Sequence, residues 1–396
     1  MPERRVIAVV TTSRADYGHL YWPMRTLAAQ PEIDLRILAI GSHMSPEFGA
    51  TIDEIRKDGF RVDAALECLL SSDSDVGMAK TIGLATLSLA DSLGAMRPDL
   101  LLLIADRYEM LAPASVALAL RIPIAHIEGG EISMGAIDDS VRNALTKISH
   151  VHFTSTELAR QRVIAMGEEP WRVHRAGAPS LDQVRRSRLL TRAELQTALD
   201  VDLGQPTAIV AYHPVTIARD TLREADAFFA ALARTKQQLL FCYPNVDAGS
   251  RRLIDRTRAF LADHPNGKIF CNLGPVTYWS LLAQVDALLG NSSSGIMEAA
   301  TFGLPVVNIG IRQQGRERAR NTLDAAAEAD DIQQKIARAF EPEFRRSLVG
   351  MENPYGDGTA SERIAAVLAS VPLGEALLTK QPAPLPADAV VAPPKQ

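Results

Sequence analysis

Gly290-Asn291-Ser292-Ser293-Ser294-Gly295-Ile296-Met297-Glu298-Ala299 follows a largely apolar run over residues 285–289 and leads into a helical stretch over 296–302. The run reads as a buried strand, which places the loop at a strand-to-helix junction. Small, hydroxyl-rich residues there let backbone N–H groups approach an anion, and the helix dipole favours negative charge. The implied ligand is a phosphate or diphosphate, with Glu298 one turn later placed for sugar hydroxyls. A loop of this kind also occurs as an ordinary strand-helix turn, so the rest of the chain decides its meaning.

Outward from that loop, short apolar β-rich runs alternate with longer amphipathic stretches. Residues 6–10, 35–40, 100–105, 122–127 and 151–153 read as strands, and the alternation resumes at 208–212, 238–242, 268–271, 285–289 and 305–309. Most are apolar nearly throughout, as expected of a parallel sheet covered by helices on both faces. A helix over 137–148 carries Ile137, Val141, Leu145 and Ile148 on one stripe. Thr191-Arg192-Ala193-Glu194 has the form of a capping box at the junction of the halves. The expected fold class is α/β, with two doubly wound domains over 1–180 and 181–365, a C-terminal helix over 366–380 and a disordered tail over 381–396. That tail holds five prolines and lacks periodicity. Ligands bind such sheets in the crevice at the carboxyl ends of the strands. The motifs gather at those ends, which makes an interdomain cleft the expected active site.

Composition narrows the function. The 396 residues suffice for two domains, and a net charge of −5 argues against nucleic acid as a partner. Cys68, Cys242 and Cys271 are widely spaced and suggest neither a disulfide framework nor a zinc site. No metal-ligand spacing and no Gly-x-Gly-x-x-Gly fingerprint appears, so neither a metal nor a redox cofactor is expected. No basic-apolar-small leader opens the sequence, and the apolar runs are too short for a bilayer. A soluble cytoplasmic protein without a membrane partner is the expectation.

Several side chains stand out. Arg14, after the first strand, is either a phosphate clamp or a surface arginine at a helix start. Asp106 tips the fully apolar run 100–105, where packing gives little reason for a carboxylate; an N-cap is the other use. His126-Ile127-Glu128-Gly129-Gly130-Glu131 ends the next strand, with Glu128 ahead of Glu131 as the cleft acid. Asp138 and Asp139 open the helix over 137–148, where acids also serve as dipole partners. His213, kept non-helical by Pro214, closes the first strand of the second half. Arg312, Arg316, Arg318 and Arg320 form the basic cluster that an acidic protein needs for a diphosphate, or a solvated face. Together these point to acid/base work on a phosphorylated substrate.

With these residues in view the chain resembles the UDP-N-acetylglucosamine 2-epimerase family, specifically its hydrolysing branch. The resemblance covers roughly residues 4–370. It rests on Thr12-Ser13-Arg14-Ala15-Asp16-Tyr17-Gly18, Gly41-Ser42-His43-Met44-Ser45-Pro46-Glu47-Phe48-Gly49, Asp106-Arg107-Tyr108-Glu109, the stretch from His126 to Glu131, Ile137-Asp138-Asp139-Ser140, Tyr243-Pro244-Asn245-Val246-Asp247 and the Gly290 loop. It implies the GT-B architecture: two Rossmann-like domains around a cleft, with the second holding most of the UDP. The implied activity converts UDP-GlcNAc and water to N-acetylmannosamine and UDP through a glycal, as in sialic acid biosynthesis. Asp106, Glu128 and Asp138 become the acid/base carboxylates, and Asp138 or Asp139 fills the third place. His213 lies near the leaving group. Arg14, Glu131, Asn291, Ser292, Ser293, Ser294, Gly295, Glu298, Arg312 and Arg316 face the substrate. No cofactor is implied, and a homodimer or homotetramer is. The same reaction on UDP-2,4-diacetamido-2,4,6-trideoxyglucose, of the legionaminic acid pathway, is the nearest alternative. The non-hydrolysing epimerase, a GT-B glycosyltransferase and a non-catalytic UDP-sugar sensor rank below it.

Overall fold

The computed structural model describes residues 4–46, 50–70, 74–132, 137–215, 220, 222–242, 250–271 and 273–382. The chain forms two compact units. One comprises Met1–Gly130, Ser140–Arg175 and Ile364–Gln396; the other comprises Glu131–Asp139 and Ala176–Arg363. The passage between them therefore falls at residue 176 rather than 181. A short stretch around Asp138 belongs with the second unit, and the last segment returns to the first.

The first unit is built on a seven-stranded sheet. Its strands are β1 (Arg5–Thr11), β2 (Ile33–Ala39), β3 (Ala64–Ala65), β4 (Leu100–Ile104), β5 (Ile124–Ile127), β6 (Val151–Thr154) and β7 (Val173–Arg175), in the order β3-β2-β1-β4-β5-β6-β7. The second unit has β8 (Thr207–Ala211), β9 (Gln238–Cys242), β10 (Gly267–Phe270), β11 (Ala287–Gly290), β12 (Val306–Ile309) and β13 (Thr322–Ala325), in the order β10-β9-β8-β11-β12-β13. Every pairing is parallel. The central strands β4, β5, β8 and β11 are buried along their whole length, which is why they read as unbroken apolar runs.

Each sheet reverses its strand order once, between β1 and β4 in the first and between β8 and β11 in the second. Loops leaving those strands diverge and open a crevice, the usual ligand position in doubly wound sheets. Thr12 and Asp106 flank the first reversal; His213 and the Gly290 loop flank the second.

Two helices differ from expectation. The stretch over 296–302 is a short helix Ser293–Met297 followed by a 3-10 turn Ala299–Phe302, ended by left-handed Gly303. The C-terminal stretch over 366–380 is two helices, Ala360–Ser370 and Glu375–Leu378. Pro372 and Gly374 stand between them, and Gly374 has φ +78. The capping box at Thr191 is present as read, with Glu194 Oε2 accepting from the Thr191 N–H at 2.8 Å. Residues 47–49, the stretch from Tyr243 to Asp247 and the tail over 383–396 lie outside the described residues. Among the described residues, no helix is long and apolar enough to cross a membrane.

Candidate active site

In the first unit the strand ends are shaped by two non-glycine residues in the left-handed region. Ala105, after β4, has φ +57, and Glu128, after β5, has φ +67. Both still pair as strand residues before turning: Ala105 N–H donates to Ile127 O at 2.9 Å, and Glu128 N–H donates to Phe153 O at 2.8 Å. Such conformations cost of order 1 kcal/mol or more each, and their clustering at strand ends is a mark of function. They turn the chain so that Asp106 and Glu128 leave neighbouring strands side by side, since Ile104 is in register with Ile127.

His126 braces the turn at Ala105. It is fully buried, and its Nε2 lies 2.8 Å from Ala105 O. A carbonyl only accepts, so Nε2 carries the proton and the tautomer is fixed. Burial pushes its pKa down to about 4, which keeps the ring neutral. Gly129 and Gly130 come next, and at Gly130 nothing larger fits. A Cβ on Gly130, at φ +79, would lie 2.3 Å from Ala159 O.

Asp106 pairs with the Nη2 of Arg142, which projects from the helix Ile137–Ile148 and is 4% exposed. Asp106 is therefore a partner of a buried cation rather than an N-cap. The cap position before the turn Tyr108–Met110 belongs to Arg107. Glu128 Oε1 lies 3.1 Å from His19 Nδ1. Neither Arg142 nor His19 was singled out in the sequence. The signal for Arg142 was a cation directly after Val141, at the edge of that helix's apolar stripe; His19 left none. Arg14 is exposed and pairs with Glu54 at 3.8 Å. Asp16 supports the loop instead, accepting from the N–H groups of Thr12 at 2.6 Å and Ser13 at 2.7 Å. Asp138 and Asp139 occupy the first turn of their helix and are half-buried, as is Glu131, which precedes that helix in the chain.

In the second unit Asn291 is the keystone. It is fully buried, and its side chain closes a two-way bridge to the backbone of His213. Oδ1 accepts from His213 N at 2.7 Å and Nδ2 donates to His213 O at 2.9 Å. Its carbonyl accepts from Arg312 Nη1 at 3.0 Å and Gln313 Nε2 at 2.9 Å. Asn291 was expected to face the substrate; it is spent on holding His213, Arg312 and Gln313 together. Gly290 must be glycine, since at φ +144 a Cβ would lie 2.1 Å from Ala211 O. His213 is 9% exposed. Burial, reinforced by the Arg312 charge, pushes its pKa down to about 4, so it serves as a neutral imidazole.

Ser292 caps the short helix Ser293–Met297. Its hydroxyl lies 3.0 Å from that of Ser294, which lies 2.6 Å from the hydroxyl of Tyr278, a partner the sequence did not reveal. Gly295 packs where a Cβ would meet Val306 Cγ1 at 3.0 Å. Glu298 stands half-buried at the end of this turn. The basic cluster divides. Arg318 is tied to Asp324 at 2.9 Å and to the carbonyls of Arg316 and Gln313, and Arg320 is exposed. Arg312 is bound to the Asn291 loop, and Arg316 Nη1 contacts Met297 Sδ at 3.5 Å. Among the described residues, no group of three or more His, Cys, Asp or Glu side chains could hold a metal ion.

The first unit thus offers Asp106 and Glu128 at half-buried, left-handed strand ends, and the second offers a hydroxyl-rich loop beside an arginine and a neutral histidine. Two Rossmann-like units with their motifs at the strand ends are the architecture of a GT-B enzyme. Residues 25–369 match the family described as UDP-N-acetylglucosamine 2-epimerase, and the chain belongs to that family. It is 36% identical over 377 residues to the hydrolysing UDP-N,N'-diacetylbacillosamine 2-epimerase of Legionella pneumophila, covering 95% of this chain and 98% of the relative. It is 34% identical to the hydrolysing GDP/UDP-N,N'-diacetylbacillosamine 2-epimerase of Campylobacter jejuni, covering 87% of this chain and 90% of that one. The fold matches the UDP-GlcNAc 2-epimerase of Neisseria meningitidis, solved with UDP-GlcNAc bound, at a TM-score of 0.72 and 18% identity over 92% of this chain and 99% of that one.

Proposed function

We propose that the protein is a hydrolysing 2-epimerase acting on UDP-2,4-diacetamido-2,4,6-trideoxyglucose, which is UDP-N,N'-diacetylbacillosamine, releasing UDP and the free 2-epimeric sugar. The UDP-GlcNAc substrate implied by the family resemblance gives way here. The Legionella and Campylobacter relatives are both named for the diacetamido sugar, at 36% and 34% identity over most of the chain.

The observation that carries the reaction type is the pair of left-handed strand ends at Ala105 and Glu128. Backbone strain is retained to present Asp106 and Glu128 together. In the first step a carboxylate removes the C2 proton. The C2–H electrons form the C1=C2 bond, the C1–O bond breaks, and UDP leaves with that electron pair. In the second step water adds its hydroxyl to C1 of the glycal while a proton returns to C2 on the opposite face. Asp106, Glu128 and Asp138 are the proton-transfer groups in this reading. Arg142 balances the Asp106 charge, and burial strengthens every such interaction. Ser292, Ser293, Ser294, Gly295 and Glu298 hold the nucleotide, with Arg14, Glu131 and Arg316 at its margins. Arg312 supplies positive charge for the departing diphosphate. His213, being neutral, contributes a hydrogen bond rather than a charge.

The test is a comparison of kcat/KM on the two sugars. A site built around the second acetamido group leaves polar partners unpaired when a hydroxyl replaces it, so the diacetamido sugar should be preferred by at least about a hundredfold. Equal or reversed preference would return the substrate to UDP-GlcNAc and leave the reaction type standing.

A further inference from the structure

Glu224 is a buried acid with no part in the chemistry above. It is 7% exposed and directly precedes the helix Ala225–Leu232. Its carboxyl group lies against the α-carbon of Gly310, the first residue after β12. A Cβ on Gly310 would sit 1.9 Å from Glu224 Oε2 and 2.7 Å from the carboxyl carbon. Gly310 has φ +70, a conformation that favours glycine, and the Glu224 carboxyl occupies the space a Cβ would take. Among the described residues Glu224 Oε2 has no hydrogen-bond partner, nor has the hydroxyl of its neighbour Tyr212. Burial pushes the Glu224 pKa up, while the Arg223 charge and the Ile311 N–H pull it the other way. A buried acid with a bare oxygen costs stability, so its retention calls for a gain elsewhere.

The segment after Gly310 supplies that gain. Ile311 follows Gly310 and leads directly to Arg312 and Gln313. Those two side chains bind Asn291 O at 3.0 and 2.9 Å, and the Asn291 amide holds the His213 backbone. We propose that Glu224 is a positioning residue: its carboxyl fixes the exit of the chain from β12 and so sets Arg312, and through Asn291 also His213, for the diphosphate. This rests on the reading that Arg312 and His213 serve the departing UDP.

The contact can be tested from both sides. UDP is titrated calorimetrically into the full chain carrying G310A, E224A, E224Q or E224A/G310A, below each variant's thermal midpoint, and kcat and KM are measured alongside. G310A drives a methyl group into the carboxyl and should weaken UDP binding by about thirtyfold or more. Deleting the carboxyl in E224A/G310A should bring the loss back to about the tenfold expected of E224A alone, a coupling that independent sites do not show. E224A alone should weaken UDP about tenfold and lower kcat, while E224Q, which keeps shape and an acceptor oxygen, stays within about threefold. A purely structural role would lower the thermal midpoint and leave UDP affinity in the folded protein unchanged. E224A binding UDP as tightly as the unsubstituted chain, or no relief of G310A by E224A, overturns the proposal. If G310A does not fold, the E224A and E224Q affinities decide alone. If the unsubstituted chain binds no UDP, the nucleotide reading fails and the proposal with it. If it binds UDP and the variants match it, only the proposal falls.

Discussion

Replacing Asn291 by alanine should damage stability and turnover together, because one buried amide holds both strand ends of the second unit's crevice. The substitution removes the bonds to His213 N at 2.7 Å and His213 O at 2.9 Å. Both backbone groups stay buried, since His213 is 9% exposed. An orphaned buried donor or acceptor costs about 1–3 kcal/mol, so two of them give a loss of about 4 kcal/mol. N291D keeps the acceptor and turns the donor into a second oxygen facing His213 O, so it should lose about 2 kcal/mol or more. Trp279 is the second unit's tryptophan, 8% exposed, and reports that unit's urea transition once Trp22 and Trp171 are phenylalanine. Turnover should fall about a hundredfold in N291A, the usual consequence of a shift near 1 Å in a catalytic group. An N291A protein that loses less than about 1 kcal/mol and keeps kcat within about threefold would refute the keystone argument.

Three further outcomes are expected of the same structure. Arg142→Met leaves Asp106 without its buried counter-charge and should cost about 3–5 kcal/mol in a denaturation curve, with turnover falling further than in the milder Arg142→Lys. His126, His150 and His213 all have pKa values pushed from 6.5 to about 4 by burial. The unfolded chain takes up those protons first, so unfolding free energy should rise with pH between 4 and 6.5 and flatten above. Each histidine adds about 1 kcal/mol per pH unit in that window, and a flat profile there would contradict their burial as neutral rings. Arg172, 1% exposed, donates to Leu377 O and Thr379 O at 2.7 Å each and to His150 O at 3.2 Å. Arg172→Met should therefore release the C-terminal stretch, with hydrogen exchange rising at residues 375–380 and about 3 kcal/mol lost from the first unit.

The doubly wound pattern was legible because central strands with both faces covered carry almost no polar residue. Three of the four edge strands, β3, β7 and β13, were not. β7 carries His174 and Arg175, and β13 carries Asp324, since an edge strand is half solvated and loses the apolar signature. Asp106, Glu128 and His213 could be picked out because a polar group ending a buried run has little packing reason to be there. The left-handed turns at Ala105 and Glu128 could not, since neither residue advertises positive φ as glycine or asparagine would. Asn291 shows the limit most clearly. Sequence placed it in a ligand loop, yet its amide is satisfied by a residue 78 positions away, a pairing only the fold supplies. The same holds for Arg142, which lies 36 positions from Asp106.

Product analysis in deuterated water follows the fate of the C2 hydrogen. The purified protein is incubated with UDP-2,4-diacetamido-2,4,6-trideoxyglucose, without added metal or nicotinamide cofactor, and followed by NMR. Free UDP and the free 2-epimeric sugar carrying deuterium at C2 are the expected products. A sugar still linked to UDP would make the enzyme a non-hydrolysing epimerase. Free sugar retaining the original hydrogen at C2 would contradict proton abstraction by the strand-end carboxylates.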